Sequence, residues 1–171
     1  MTKNALISVF NKNNIIDLAK YLIANDYNIL STGGSAKLLR DNNIPVTNIS
    51  DYTSYPEILN GRVKTLHPKI YGGLLNVRNN ENHITQCREL SINNIDLVVV
   101  NLYPFSDVVK LNPNDFSNCI ENIDIGGVSL LRAASKNYID VTVLSSPSQY
   151  QSFMDNNYDN RQLALDAFKS T

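Results

Sequence analysis

Tyr27-Asn28-Ile29-Leu30-Ser31-Thr32-Gly33-Gly34-Ser35-Ala36-Lys37-Leu38-Leu39-Arg40-Asp41 is the stretch whose reading decides the fold class. Tyr27 to Ser31 has the length and apolar content of a short strand, Gly33-Gly34 breaks the chain, and Ser35 to Asp41 reads as a helix. The same order precedes it. Ala5 to Phe10 reads as a strand, and Ile15, Leu18, Ala19, Leu22 and Ile23 mark one face of a helix over Ile15 to Ala24. Pro45 to Ile49 follows as a third strand. Strands alternating with helices predict an α/β fold, with a mostly parallel sheet between two helix layers and right-handed crossovers.

Further along, Glu81 to Leu90 has helical spacing. Leu97 to Leu102 is the most apolar run and is expected to be a central strand buried on both faces. Gly126-Gly127 opens a helix-like run, Val128 to Ser135. Val141 to Leu144 reads as another strand, and Arg161 to Phe168 as a helix near the end of the chain. Between Asp51 and Asn80 periodicity is weak, but Pro56, Gly61, Pro68, Gly72 and Gly73 crowd together. A long aperiodic stretch in a compact domain points to function.

At 171 residues the chain is sized for one domain over 1–171. With 43% hydrophobic and 18% charged residues, its composition is globular. A net charge of −1 leaves no basic excess for nucleic acid or anionic lipid. No apolar run approaches a membrane span, and no signal peptide opens the chain, so a cytoplasmic protein is expected. Cys87 and Cys119 lie far apart and only two histidines are present, so neither a disulfide scaffold nor a metal site is expected. The abundant asparagines are scattered through ordinary core patterns and form no low-complexity tract.

Five places carry residues suited to chemistry. In Ser31-Thr32-Gly33-Gly34-Ser35, backbone N–H groups and hydroxyls converge at a helix start, a workable phosphate cradle; an ordinary strand-to-helix turn with Ser35 near the N-cap gives the same pattern. Lys12 follows the first strand, at the sheet edge where doubly wound folds bind ligands, and reads equally as a surface lysine. Gly61-Arg62-Val63-Lys64-Thr65-Leu66-His67-Pro68 gathers Arg62, Lys64 and His67 with a hydroxyl at Thr65 in a chain without general basicity. Arg suits forked recognition of phosphate, and Lys suits a point charge at an oxyanion. In Asn101-Leu102-Tyr103-Pro104-Phe105, Tyr103 either faces a ligand with its ring and hydroxyl or simply packs at a strand end. Asp124, before Gly126 and Gly127, reads as a general base or as a helix cap, and Lys136 as a catalytic group or a charge complementing the helix end.

Taken in order, Lys12, Ser31 to Ser35, Gly61 to Pro68, Asn101 to Phe105, Glu121 to Gly127 and Arg132-Ala133-Ala134-Ser135-Lys136-Asn137 resemble the IMP cyclohydrolase domain of the bifunctional enzymes AICAR transformylase/IMP cyclohydrolase. The resemblance runs from about Ala5 to the last residue. It implies a methylglyoxal-synthase-like fold and a hydrolase-class reaction run in the ring-closing direction: 5-formamidoimidazole-4-carboxamide ribonucleotide (FAICAR) closes to IMP with loss of water, the last step of purine synthesis. It implies no cofactor for that step. Formyl transfer from 10-formyltetrahydrofolate belongs to a separate C-terminal domain, so this chain is expected to be an N-terminal fragment of a homodimeric protein. Lys64 and Tyr103 would flank the formyl oxygen, and Asp124 with Lys136 would move protons near the amide. Ser8, Lys12, Ser31, Thr32, Gly33, Gly34, Ser35, Arg62, Thr65, Asn101, Gly126 and Gly127 would hold the phosphate, ribose and base.

The family usually reads Ser-Val-Ser-Asp-Lys-Thr-Gly where this chain has Ser8-Val9-Phe10-Asn11-Lys12-Asn13-Asn14. Phe10 and Asn13 replace hydroxyl residues, which predicts weaker nucleotide binding with the chemistry kept. Two other readings share the fold: a methylglyoxal-synthase-like lyase, and a non-catalytic regulatory module like the allosteric domain of carbamoyl phosphate synthetase. Nothing beyond the glycine turn matches the lyase. A binding module would not need Lys64, Tyr103, Asp124 and Lys136 together.

Overall fold

The computed structural model describes residues 2–103, 105–111 and 114–171. Strands β1 (Lys3–Val9), β2 (Tyr27–Ser31), β3 (Thr47–Asn48), β4 (Leu97–Asn101) and β5 (Thr142–Leu144) form one sheet in the order β3-β2-β1-β4-β5. Every neighbouring pair is parallel. The helices are α1 (Ile15–Ala24), α2 (Gly33–Asp41), α3 (Ile49–Thr53), α4 (Pro68–Leu75), α5 (Glu81–Glu89), α6 (Phe105–Leu111), α7 (Phe116–Glu121), α8 (Gly126–Lys136), α9 (Tyr150–Met154) and α10 (Asn160–Lys169). The α/β architecture expected from the sequence, a parallel sheet between helix layers, is the one observed.

Alternation along the strands divides the core into two layers. Ala5, Ile7 and Val9 of β1 with Leu97 and Val99 of β4 face α1, α2 and α9. Leu6, Val98 and Val100 face α3, α4, α8 and α10. All five residues of β4 are buried, as a central parallel strand covered on both sides must be.

The structure also corrects the reading at several points. The first strand runs Lys3–Val9, so Phe10 lies beyond it, and the third is only Thr47–Asn48 because Ile49 already opens α3. The weakly periodic stretch 51–80 holds the end of α3, one 3-10 turn at Leu59–Gly61, and α4. Pro68 at the first turn and the His67 Nδ1 acceptor of Lys69 N–H start α4. Gly72 and Gly73, counted among the special residues of the aperiodic stretch, lie inside that helix. A Cβ on Gly73 would sit 2.6 Å from the Asn93 carbonyl oxygen, so only glycine lets α4 dock this close to the entry of β4. The short helices α6, α7 and α9 had no counterpart in the sequence reading. Pro104, in the predicted Asn101–Phe105 turn, lies outside the described residues.

In this strand order, β2 and β3 lie on one side of β1 and β4 and β5 on the other. The strand order reverses between β1 and β4, and the crevice outside their carboxyl ends is where such folds bind ligands.

Candidate functional site

A cleft of about 550 Å³ opens at this end of the sheet. Ser8 of β1, Thr32 after β2, the 60–66 loop, and the Ile123–Gly127 approach to α8 form its walls. Of the residues singled out in the sequence, Ser8, Thr32, Arg62, Lys64, Thr65, Asp124, Gly126 and Gly127 meet there.

Two helices start at its rim. Thr32 precedes α2 but makes no side-chain cap bond, so the first amides of α2 are not capped by it. Gly33 has φ +55°, a left-handed conformation that favours glycine. The Lys12 ammonium lies 3.9 Å from where a Cβ on Gly34 would be, beside the positive end of α2, and donates to the Phe10 carbonyl at 3.3 Å. At the start of α8, Asp124 Oδ1 accepts the Gly127 N–H at 2.7 Å. Asp124 is therefore a helix cap in this structure, whatever else it does.

The cations of the cleft face acids. Lys64 Nζ lies 3.2 Å from Glu57 Oε2, and Thr32 Oγ1 donates to Glu57 Oε1. That hydroxyl bond, aided by the Lys64 ammonium and opposed by partial burial, holds the Glu57 carboxyl below its usual range. Arg62 pairs with Glu121 at the end of α7. Neither acid was assigned a role from the sequence. Their signal was present in Glu57, five residues before Arg62 and seven before Lys64, because a lone acid beside clustered cations invites pairing.

Other predicted residues are placed differently. The Ser31 hydroxyl donates to the Ile7 carbonyl at 2.7 Å. Ser35 Oγ accepts Val9 N–H at 3.0 Å and donates to Val9 O at 3.1 Å. Asn101 accepts Asn11 N–H at 2.7 Å and donates to Asn11 O at 3.0 Å. All three hold backbone at the carboxyl end of β1. His67 caps α4 and is not a cleft donor. The Tyr103 ring packs against Phe10 with centroids 4.0 Å apart, outside the lining of the cleft.

Lys136 is exposed at the last turn of α8. Ten residues at about 1.5 Å each separate it from Gly126, so it stands about 15 Å along the helix from the cleft. Asp124 and Lys136 do share a second, larger and mostly apolar groove along α8, bounded by α4 and α10. Among the described residues, no group of three or more His, Cys, Asp or Glu is placed to hold a metal ion. No helix among them is long and apolar enough to cross a membrane.

Comparison with known proteins agrees with this fold. Residues 14–129 match the family described as MGS-like domain. The chain is similar to the bifunctional purine biosynthesis protein PurH of Acetivibrio thermocellus, 51% identical over 155 residues, covering 91% of this chain and 30% of that protein. The PurH of Clostridium acetobutylicum is 53% identical over 155 residues, covering 91% and 31%. The chain thus spans about 30% of the length of the curated relatives it matches. Among solved structures, that titled "Crystal structure of ForH" superposes with a TM-score of 0.85 at 32% identity, over 98% of this chain and 92% of the other.

Proposed function

This chain belongs to the MGS-like domain family, and we propose that its cleft is an IMP cyclohydrolase site that closes FAICAR to IMP with loss of water. Its similarity to PurH supports a place in purine biosynthesis. The observation that carries the finer reading is the gathering of Arg62, Lys64, Thr32 and Asp124 on one cleft, between two helix starts, in a chain with no general basicity.

Ring closure needs the carboxamide nitrogen to attack the formyl carbon. The formyl oxygen gains negative charge, the nitrogen loses a proton, and the carbinolamine then expels that oxygen as water. Lys64 supplies an N–H to the developing oxyanion, and Asp124, with Oδ1 held by Gly127, has Oδ2 to receive or return a proton. Arg62, Lys12 and the amides at the start of α2 suit the phosphate. Lys136 takes no step in this scheme because it stands at the far end of α8. Tyr103 pairs with Phe10, and in this proposal that aromatic pair offers a surface on which a base can pack. No organic cofactor or metal is required. In the same proposal, formyl transfer from 10-formyltetrahydrofolate is assigned to a separate domain, and the protein works as a homodimer in the cytoplasm.

The test is to incubate the purified chain with FAICAR and follow IMP by liquid chromatography beside a Lys64→Met variant. Wild type should form IMP, with the variant slower by on the order of 10²–10³. A near-normal variant would remove Lys64 from the oxyanion role. No product, together with no thermal stabilisation by IMP, would overturn the reading.

A further inference from the structure

Glu57 touches two of the groups assigned to the reaction without lining the cleft itself. One carboxylate oxygen accepts a hydrogen bond from the Thr32 hydroxyl, and the other faces the Lys64 ammonium at 3.2 Å. Lys64 is hemmed in on two more sides. A Cβ on Gly61 would lie 2.8 Å from its Cε and 2.9 Å from its Nζ, and one on Gly33 would lie 3.4 Å from Nζ. Gly61 has φ +82°, so the backbone there is shaped for glycine. Two glycines and one carboxylate thus make a slot around an ammonium that ends a flexible four-carbon stem.

The pair is a poor device for stability. The Lys64 and Glu57 side chains are 34% and 38% exposed, and contacts this wet contribute little to folding. Its geometry has a directional consequence instead. Because Thr32 donates to Glu57, its oxygen lone pairs are left for a ligand N–H or O–H. Because Glu57 holds one side of the ammonium, the remaining Lys64 N–H groups are restricted in direction.

We propose that Glu57 is a positioning residue, aiming the Lys64 ammonium and the Thr32 hydroxyl oxygen into the cleft. This rests on the reading of Lys64 as the oxyanion donor. Glu57 itself touches no reacting atom. Its effect passes through Lys64, so removing its charge lowers turnover more than binding, and has nothing left to lower once Lys64 is gone.

The experiment compares wild type, Glu57→Gln, Lys64→Met and the double variant for kcat and KM with FAICAR. Alongside, the lysine ammonium resonances of 15N-lysine protein are followed, with that of Lys64 assigned by its loss in Lys64→Met. Expected are a kcat lowered on the order of ten- to a hundredfold in Glu57→Gln, a KM changed less than about threefold, and a double variant no slower than Lys64→Met. The Lys64 resonance should be visible in wild type and broadened or shifted in Glu57→Gln. A kcat within twofold of wild type, an equal loss on the Lys64→Met background, or an unmoved Lys64 resonance would each overturn the proposal. If wild type itself makes no IMP, the cyclohydrolase reading fails, and the resonance alone decides whether Glu57 holds Lys64.

Discussion

Gly127→Ala tests the Asp124 assignment without touching the carboxylate chemically. A Cβ on Gly127 would lie 2.5 Å from Asp124 Oδ2 and 3.0 Å from both Cγ and Oδ1. To regain an ordinary contact of 3.4 Å the carboxylate must retreat by about 0.9 Å. That motion breaks or stretches the 2.7 Å bond from Gly127 N–H, a hydrogen bond to a charged group worth about 1.5–3 kcal/mol. Alanine in the first turn of α8 returns at most about 1 kcal/mol of helix propensity. The net loss of stability should be about 0.5–2 kcal/mol, a fall of a few degrees in Tm for a domain of this size. The loss of turnover should be far larger. A reacting group misplaced by about 1 Å can cost on the order of 10² in rate. The assay is FAICAR closure followed by IMP formation, with thermal unfolding measured on the same samples. Gly126→Ala serves as the control for Asp124 position only, read from the stability of the α8 start, because its Cβ would meet Thr65 Oγ1, at 3.0 Å, and leave Asp124 in place. If Gly127→Ala closes FAICAR within twofold of wild type while remaining folded, Asp124 is a cap and takes no part in proton transfer.

The two glycines of α4 should separate by the same kind of reasoning. At Gly73 the new Cβ meets the Asn93 backbone carbonyl, so Gly73→Ala should lose about 1–3 kcal/mol in urea unfolding. At Gly72 it meets the end of the flexible Ile92 side chain, and Gly72→Ala should stay within about 1 kcal/mol of wild type; equal losses would contradict the close docking of α4. Alkaline pH should also weaken the fold. Burial pushes the Tyr150 phenol, and likewise that of Tyr27, up to about 12 from the ordinary 10.0. Folding therefore favours the protonated form. That stability is complete below pH 10 and is lost as pH rises from 10 through 12, by about 2–3 kcal/mol for the fully buried Tyr150 alone. Tyr150→Phe should flatten this loss in denaturation curves collected across that range, and an unchanged slope would refute it.

How much was legible depended on element length and on neighbours. Helix α1 and strand β2 were read to the residue because each has a full periodic face or a clean apolar run ending at turn chemistry. Helices α6, α7 and α9 span only five to seven residues, too few for a 3.6-residue period to show. Helix α4 was hidden for another reason. Gly72-Gly73 costs helix propensity locally, and its compensation, close approach to the Ile92–Ile95 segment, is a tertiary fact no window of sequence contains. In the site, the Gly61–Pro68 motif correctly concentrated Arg62, Lys64 and Thr65 on one cleft. The spacing of Asp124 and Lys136 was also legible in the sequence. Twelve residues that are mostly one helix set the two about a helix length apart, on the longer groove along α8 and not on the smaller cleft.

The hydroxyl and amide residues show why ligand-like residue types need not face a ligand. Pairing of β1 with β2 ends at Ile7 and Ser31, whereas β1 continues beside β4 as far as Val9 and Asn101. The sheet therefore opens on the β2 side just where the crevice begins, and the backbone groups of Val9 face no strand there. Left unpaired in a buried position, each would cost about 1–3 kcal/mol. Ser35, from the first turn of α2, supplies both a donor and an acceptor to Val9. Asn101 does the same for Asn11, two residues beyond the end of β1. These side chains extend the hydrogen-bond ladder after the strands have parted. Without them the carboxyl ends of β1 and β4 could separate only by exposing or orphaning their backbone. The same residue chemistry that would suit a phosphate is thus what allows a cleft to exist at the strand order's reversal, with Lys64, Arg62 and Asp124 brought to its walls.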